Sequence, residues 1–341
     1  HCPARTYTMR HMKVGIIHNE PIPLGEPNWE SSADVLAQVE AIEAALTELG
    51  QPHARIPFTR DLGRFVSQVK AAGIGMAFNL CESVDEDPLL IGHPAAVLEL
   101  LGIPFTGSSA MALLLSTDKL TVKRLLTASG LRTPPFFIYE GTEVLRPAGL
   151  NFPVILKPRF QDASIGIEQA SVVEDSVDLL SRLEDLYARY GAILVEEYVA
   201  GREFNVSLFG YPQARIMPQA EIDFSGFPAE LHRIVSYKAK WDEDSFEYHH
   251  TQRIFPDNLP EPLQQTMRRM AQDCFVLFGL RDYARVDLRL DGQGRLAILE
   301  INANPCLSPD AGFPAAVAQS SMSYTEMVGE FIRLVALRVA L

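Results

Sequence analysis

The sequence predicts an α/β protein that opens with a parallel α/β layer and continues with helices mixed with antiparallel strands (α+β). Three observations predict it. Near the start, short apolar runs alternate with amphipathic segments in the order strand, helix, strand, helix. Near the end, residues 285–292 and 296–305 are two aliphatic, β-branched runs, with Asp291-Gly292 and Gly294 between them as hairpin-turn residues. The 341 residues, 47% hydrophobic and 21% charged, suffice for two or three domains with ample core.

Composition also excludes some functions. A net charge of −13 leaves no basic face for nonspecific nucleic-acid binding. A nucleotide ligand remains possible, because a few local lysines can hold one against the overall field. Cys2, Cys81, Cys274 and Cys306 lie too far apart in sequence for a zinc or redox pair, as in a reduced, cytoplasmic protein. No apolar run of about 18 residues offers a membrane span, and no signal peptide opens the chain. Residues 1–11 read as an extension ahead of a natural start at Met12, and residues 12–107 as the first domain.

In order, Lys13 to His18 is a short apolar strand, followed by a loop containing Pro21, Pro23, Gly25 and Pro27. Ser31-Ser32-Ala33-Asp34 caps a helix that buries Val35, Val39, Ile42, Leu46 and Leu49 and stops at Gly50. Gly75 to Leu80 is a second buried strand, and Ala95 to Leu101 a helix ending before Gly102-Ile103-Pro104. The first strand lacks the Gly-rich dinucleotide fingerprint after it, and no P-loop occurs, so a dehydrogenase or P-loop enzyme is not expected. Thr106-Gly107-Ser108-Ser109 closes this unit, and Ser116-Thr117-Asp118-Lys119 starts a new helix.

A second domain is expected over 108–196. Phe152 to Pro158 is a strand carrying Lys157 near its end, and the small-residue turn Gln161 to Ile167 follows. Such a turn either simply joins strands or, with Lys157 beside it, cradles phosphate oxygens through its N–H groups and Ser164. Ile193 to Val199 is another strand. Its Glu196 and Glu197 either accept from an adenine amine or a ribose hydroxyl, or pair with nearby Lys or Arg. A third domain is expected over 197–341. It contains a polar, aromatic stretch with little periodicity, 223–253, long enough to be a functional lid. His249-His250 are adjacent and diverge, so they read as solvated. Helices are expected over 259–278 and 324–339.

The chemistry centres on the hairpin. A two-residue repeat puts Arg285, Asp287 and Arg289 on one face, and Ile298, Glu300 and Asn302 on one face of the partner strand. Asp287, Glu300 and Asn302 then converge as hard oxygen donors, of the kind Mg²⁺ takes beside substrate phosphates. Glu300 sits among Ala297, Ile298, Leu299 and Ile301, where an unpaired carboxylate would be costly.

These pieces, in this order from Lys13 to about Leu337, resemble the ATP-grasp superfamily, most closely the D-alanine–D-alanine ligase family. The resemblance implies an N-terminal domain followed by the two lobes of an ATP-grasp fold. It implies ATP bound by Lys119, Lys157, Ser164, Glu196, Glu197, Tyr198, Val199 and Glu203. Two Mg²⁺ ions, with Mn²⁺ as a substitute, would sit on Asp287, Glu300 and Asn302, Glu300 bridging them. Arg285 would steady the tetrahedral intermediate, and Tyr237, Lys240 and Ser164 would complete the catalytic set. The implied reaction joins a carboxylate to an amine, with amino-acid-like substrates and a homodimeric enzyme. The family pattern is altered at its amino-acid end. Only Glu30 or Ser31 stands for its N-terminal glutamate and serine, Asn79-Leu80-Cys81-Glu82 replaces a His-Gly pair, and Cys306 and Ala311 replace a glycine and a serine. A ligase for another amino acid or small natural-product acid, or a non-catalytic ATP-binding regulator, are the competing readings.

Overall fold

The computed structural model describes residues 12–26, 28–142 and 150–340. Residues 1–11 with Cys2, and Pro27 of the first loop, lie outside the described residues. Strands β1 (Lys13–Asn19), β2 (His53–Phe58) and β3 (Ile74–Asn79) form a parallel sheet in the order β2–β1–β3. Helices α1 (Trp29–Glu48), α2 (Leu62–Ala72) and α3 (Gly92–Leu100) accompany it. The sequence reading passes over β2 and α2. As an edge strand, β2 tolerates His53, Arg55 and Pro57, so it carries no continuous apolar run.

Helix α1 starts earlier than expected. Asn28 is its N-cap in left-handed conformation without a side-chain cap, and Ser31 to Asp34 lie inside the first turns. Val35, Val39, Ile42 and Leu46 are buried, but Leu49, beyond the last turn, is 43% exposed. Helix α4 (Ala110–Thr117) abuts α5 (Lys119–Ala128), whose N-cap is Asp118, accepting from Leu120 N at 3.1 Å. That cap fixes Lys119 at the first position of α5.

The central strands β4 (Phe136–Tyr139), β5 (Val154–Pro158), β6 (Val172–Val173) and β7 (Ile193–Glu197) make an antiparallel sheet in the order β4–β7–β5–β6. Helix α6 (Ser176–Tyr190) packs Leu179, Leu183 and Leu186 into this sheet's own core. The last sheet contains β8 (Gly201–Gly210), β9 (Arg215–Ile216), β10 (Ala220–Asp223), β11 (Gln252–Ile254), β12 (Asp282–Asp291) and β13 (Leu296–Asn302). It runs β11–β10–β8–β12–β13, with β9 beside β8. The lid stretch contains two short helices, α7 (Tyr237–Trp241) and α8 (Phe246–His249); α9 (Glu261–Leu277), α10 (Gly312–Gln319) and α11 (Tyr324–Ala340) follow.

The first and last sheets share two hydrophobic clusters, one centred on Phe78, Phe209, Tyr283, Phe313 and Phe331. The central sheet keeps a separate core, so a cleft opens between it and the rest. The β12–β13 ladder pairs Asp287 with Glu300 and then Leu288 with Ile298, so Leu299 is an inserted bulge residue. This corrects the simple alternation expected of β13. Ile298 is fully buried in the core, while Leu299, Glu300 and Asn302 line the cleft.

Candidate active site

The cleft has a volume of about 630 Å³ and is lined by the central and last sheets, with Asp34 of α1 and Glu82, just after β3, reaching it from the first domain. On its floor Asp287, Glu300 and Asn302 come together as expected. Asp287 is gripped on both oxygens by Arg285 (Nε to Oδ1 and Nη2 to Oδ2, each 2.8 Å) and accepts from Asn205 Nδ2 at 2.8 Å. Burial opposes the Arg285 charge, but Asp287 and then Glu300 outweigh it and raise the guanidinium's pKa. Glu300 and Asp162, a residue of the 161–167 turn, act on each other's titration. Burial and the Glu300 charge push the Asp162 carboxyl up to about 6, although water still reaches it through the cleft mouth. For Glu300 burial acts upward, but Lys119, the Asp162 hydrogen bond and other cations hold it at about 2. The pair therefore shares one proton at acid pH, in the manner of crowded carboxylates.

Lys119 and Lys157 both line the cleft. Lys119 donates to Gln161 O and Lys157 to Glu196 Oε1. Glu196 is completely buried, and its other oxygen lies 2.6 Å from Lys123 Nζ. Of the two readings of Glu196, pairing with lysine is the one its side chain follows. Burial alone would raise its carboxyl, but the charges of Lys123 and Lys157 hold it low. Glu197 accepts from Asn151 N and Nδ2 at 2.7 and 2.9 Å, and Glu203 from Arg289 Nε and Nη2 at 3.0 and 2.6 Å. Tyr198 and Val199 line the same wall.

Ala163 and Ser164 both take left-handed φ values, 54° and 63°, a strained turn for residues with side chains. The 223–253 stretch packs on this turn. Trp241 Nε1 donates to Ala163 O at 2.9 Å, Ser164 Oγ to Val235 O at 2.8 Å, and Tyr237 N to Ile167 O at 2.8 Å. Lys240 reaches the cleft, whereas Tyr237 does not; its hydroxyl donates to Glu30 Oε2 at 3.3 Å across to α1. Tyr237 is thus placed as a lid-to-body contact instead of a residue lining the cleft. His249 is exposed, as expected, but His250 stacks on Phe246 with ring centroids 3.8 Å apart.

At the far end, neither Glu30 nor Ser31 lines the cleft; Asp34 does. Asp34 Oδ1 accepts from Ser308 Oγ and Oδ2 from Cys306 Sγ, both at 2.9 Å. Gln38, one turn along α1, donates to Glu82 Oε1 at 2.8 Å. Burial pushes the Glu82 carboxyl up to about 7, against the Gln38 hydrogen bond. Asp34 and Gln38 are polar residues four apart on an otherwise apolar stripe, a signal the sequence offered. Arg253 of β11 also enters here, with no such signal.

The profile described as "D-ala D-ala ligase C-terminus" matches residues 125–333. An uncharacterized protein y4sG of Sinorhizobium fredii is 33% identical over 92% of this chain and 91% of its own. A D-alanine–D-alanine ligase of Desulforudis audaxviator is 32% identical over 86% of this chain and 91% of its own. The crystal structure of the Bacillus anthracis D-alanine–D-alanine ligase complexed with ATP superposes with a TM-score of 0.75 at 21% identity, covering 96% of this chain and 98% of that one. From the profile match, the Desulforudis relative and the shared fold, the chain belongs to the D-alanine–D-alanine ligase family of ATP-grasp enzymes, which form carbon–nitrogen bonds.

Proposed function

We propose that this protein is an ATP-dependent carboxylate–amine ligase of the D-alanine–D-alanine ligase type that forms a peptide bond through an acyl phosphate. The observation that carries the proposal is the convergence, in one cleft, of Lys119, Lys157, Arg285, Asp287, Glu300 and Asn302. The donor set fits Mg²⁺: two carboxylates and an amide, all hard oxygen, with the carboxylates on directly paired residues. Among the described residues no three His, Cys, Asp or Glu side chains form a metal site by themselves, so Asn302 and substrate phosphates would complete the shell. When bound there, magnesium, as two ions, would neutralise phosphate charge.

The acid's carboxylate oxygen attacks the γ-phosphorus, and the bond to ADP breaks. Lys119 and Lys157 face the transferring group, with the 161–167 turn around it. The amine nitrogen then attacks the acyl carbon, the C–O bond to phosphate breaks, and the amine's proton is lost. Arg285, fixed by Asp287, faces the charge that develops on the carbonyl oxygen. The docked lid excludes the water that would hydrolyse the acyl phosphate. Tyr198, Val199 and Glu203 form the nucleotide wall.

A related reading, a ligase for another amino acid or small natural-product acid, is favoured by the substrate end, where Asp34, Cys306 and Ser308 form their own network. A non-catalytic ATP-binding regulator is the alternative from another class. Homodimerisation is supported by apolar residues left exposed on adjoining segments, Leu89, Leu100, Met111 and Leu114. We place the enzyme in the cytoplasm with its substrates; among the described residues no helix is long and apolar enough to cross a membrane. The test is phosphate release from ATP and Mg²⁺ against a panel of D- and L-amino acids, with mass spectrometry of the products. An amide product with stoichiometric phosphate supports the ligase. ATP binding with no turnover on any acid leaves the regulator.

A further inference from the structure

Arg253 of β11 lines the substrate end of the cleft, where the Asp310 charge favours its cation but no carboxylate among the described residues forms an ion pair with it. Its Nη1 donates to a carbonyl, Asp310 O, at 3.1 Å, and its Nε is out of contact with water and has no acceptor. Asp310 offers only that backbone oxygen at bonding distance. The nearest cation, Arg285, is already spent on Asp287. A buried guanidinium edge without an acceptor is costly unless a ligand fills it. Burial and the like charge of Arg285 both act against the Arg253 cation, which an arriving anion would relieve.

The surroundings define the anion's place. A methyl group on Gly312 would lie 3.5 Å from Arg253 Nε and 3.6 Å from both Arg253 Nη2 and Arg285 Nη1, so both guanidiniums converge over this residue. Gly312 is the first residue of α10, and its N-cap, Ala311, supplies no side-chain oxygen. An uncapped helix start adds its own preference for negative charge. The Asp34 carboxylate lines the same end of the cleft, bonded to Cys306 and Ser308. Guanidiniums for a carboxylate, with a carboxylate near them for an ammonium, are the complement of a zwitterion.

We propose that Arg253 is a specificity-determining residue that holds the carboxylate of the amine substrate, which is therefore a free amino acid and not a simple amine or an amidated one. This rests on the ligase reading. The guanidinium's planar fork suits a carboxylate, and removing one charge-assisted contact of this kind costs roughly 10- to 100-fold in binding. The same fork would also suit a phosphoryl oxygen, so the test separates the two anions.

With ATP and Mg²⁺, the wild-type enzyme is first given D-alanine, L-alanine or glycine as the acid and hydroxylamine as a small neutral acceptor. Hydroxamate reports acyl-phosphate formation independently of any acceptor carboxylate. Each amino acid is then compared as acceptor with its own amide (D-alaninamide, L-alaninamide, glycinamide) in wild-type and Arg253→Gln protein, with thermal melting to confirm folding. The expected result is a wild-type preference for the acid over the amide of about 100-fold in kcat/KM, carried by KM. Arg253→Gln should bring the two within a few-fold, and Arg253→Lys should restore part of the preference. A role only in holding the Asp310 loop would lower both acceptors alike and keep their ratio, which overturns the proposal. So does a wild-type enzyme that accepts the amides equally well, or an Arg253→Gln loss confined to hydroxamate formation, which assigns the fork to phosphate. Absence of hydroxamate with every acid removes the ligase reading itself, and the proposal with it.

Discussion

Lys123 Nζ and Glu196 Oε2 are 2.6 Å apart, with both side chains shut off from solvent. Lys123 also donates to Thr133 Oγ1 at 2.8 Å and Leu299 O at 3.0 Å, tying α5 to β7 and to the bulge of β13. Without Lys123, Glu196 keeps the Lys157 ammonium, which the proposed function assigns to phosphate. Lys123→Met should therefore destabilise the fold by about 3–5 kcal/mol, the usual result of breaking a buried pair from one side. The double variant with Glu196→Gln should recover part of that loss. Urea unfolding of the two variants decides it. A Lys123→Met protein as stable as wild type means that the pair is not coupled.

Glu82 gives a pH signature. Burial raises its carboxyl from the ordinary 4.5 to about 7, so the folded protein holds this proton more tightly than the unfolded chain. The stability this confers is complete below pH 4.5 and disappears as the pH climbs through 7. Relative to Glu82→Gln, which keeps the Gln38 contact, wild type should lose on the order of 2–3 kcal/mol across that window and level off above it. Melting temperatures of both proteins from pH 4 to pH 9 measure the difference. A constant gap at all pH values contradicts the raised carboxyl.

How much of this was legible beforehand depends on whether a feature is local. Strands β5, β7, β12 and β13 are apolar runs bounded by turn residues, and each was read from its own residues. Lys157, Asp287 and Glu300 stand on those strands, and the structure brings them together in the cleft. Strand β2 was missed because an edge position relaxes the demand for apolar residues. The Leu299 bulge was missed because nothing in an aliphatic run marks which residue will be left unpaired. Asp34 and Arg253 belong to segments more than 200 residues apart in sequence, and their meeting at one end of the cleft is a property of the packed chain. Tyr237 is assigned to the catalytic set and the lid from resemblance, and its hydroxyl bond to Glu30, 207 residues away, is again visible only in the packed chain.

Glu300 tests the proposed metal set. Its carboxylate interacts with that of Asp162, whose carboxyl it pushes up, a crowding of like charge that a bound cation would relieve. Added Mg²⁺ with ADP should raise the melting temperature of wild type in a concentration-dependent way, as for any ligand that favours the folded state. Glu300→Ala should fold, show little of that increase, and lose ATP turnover by at least 100-fold. Normal turnover in a folded Glu300→Ala protein removes Glu300 from the metal set.

Trp241 tests the lid. Its indole N–H to Ala163 O, at 2.9 Å, joins α7 to the strained Ala163-Ser164 turn, and the neighbouring Lys240 ammonium lies 6.0 Å from the ring centroid. Trp241→Phe keeps most of the apolar packing but removes the donor, at a cost of about 1 kcal/mol to the closed state. That is enough to shift an open–closed balance roughly fivefold without unfolding the domain. An acyl phosphate in a lid that opens more often meets water, so phosphate release should outrun amide formation in the variant while the two stay matched in wild type. The ratio of phosphate to amide product, measured in one reaction mixture, reads this directly. Equal ratios in the two proteins, with folding intact, mean that the Trp241 contact does not hold the lid.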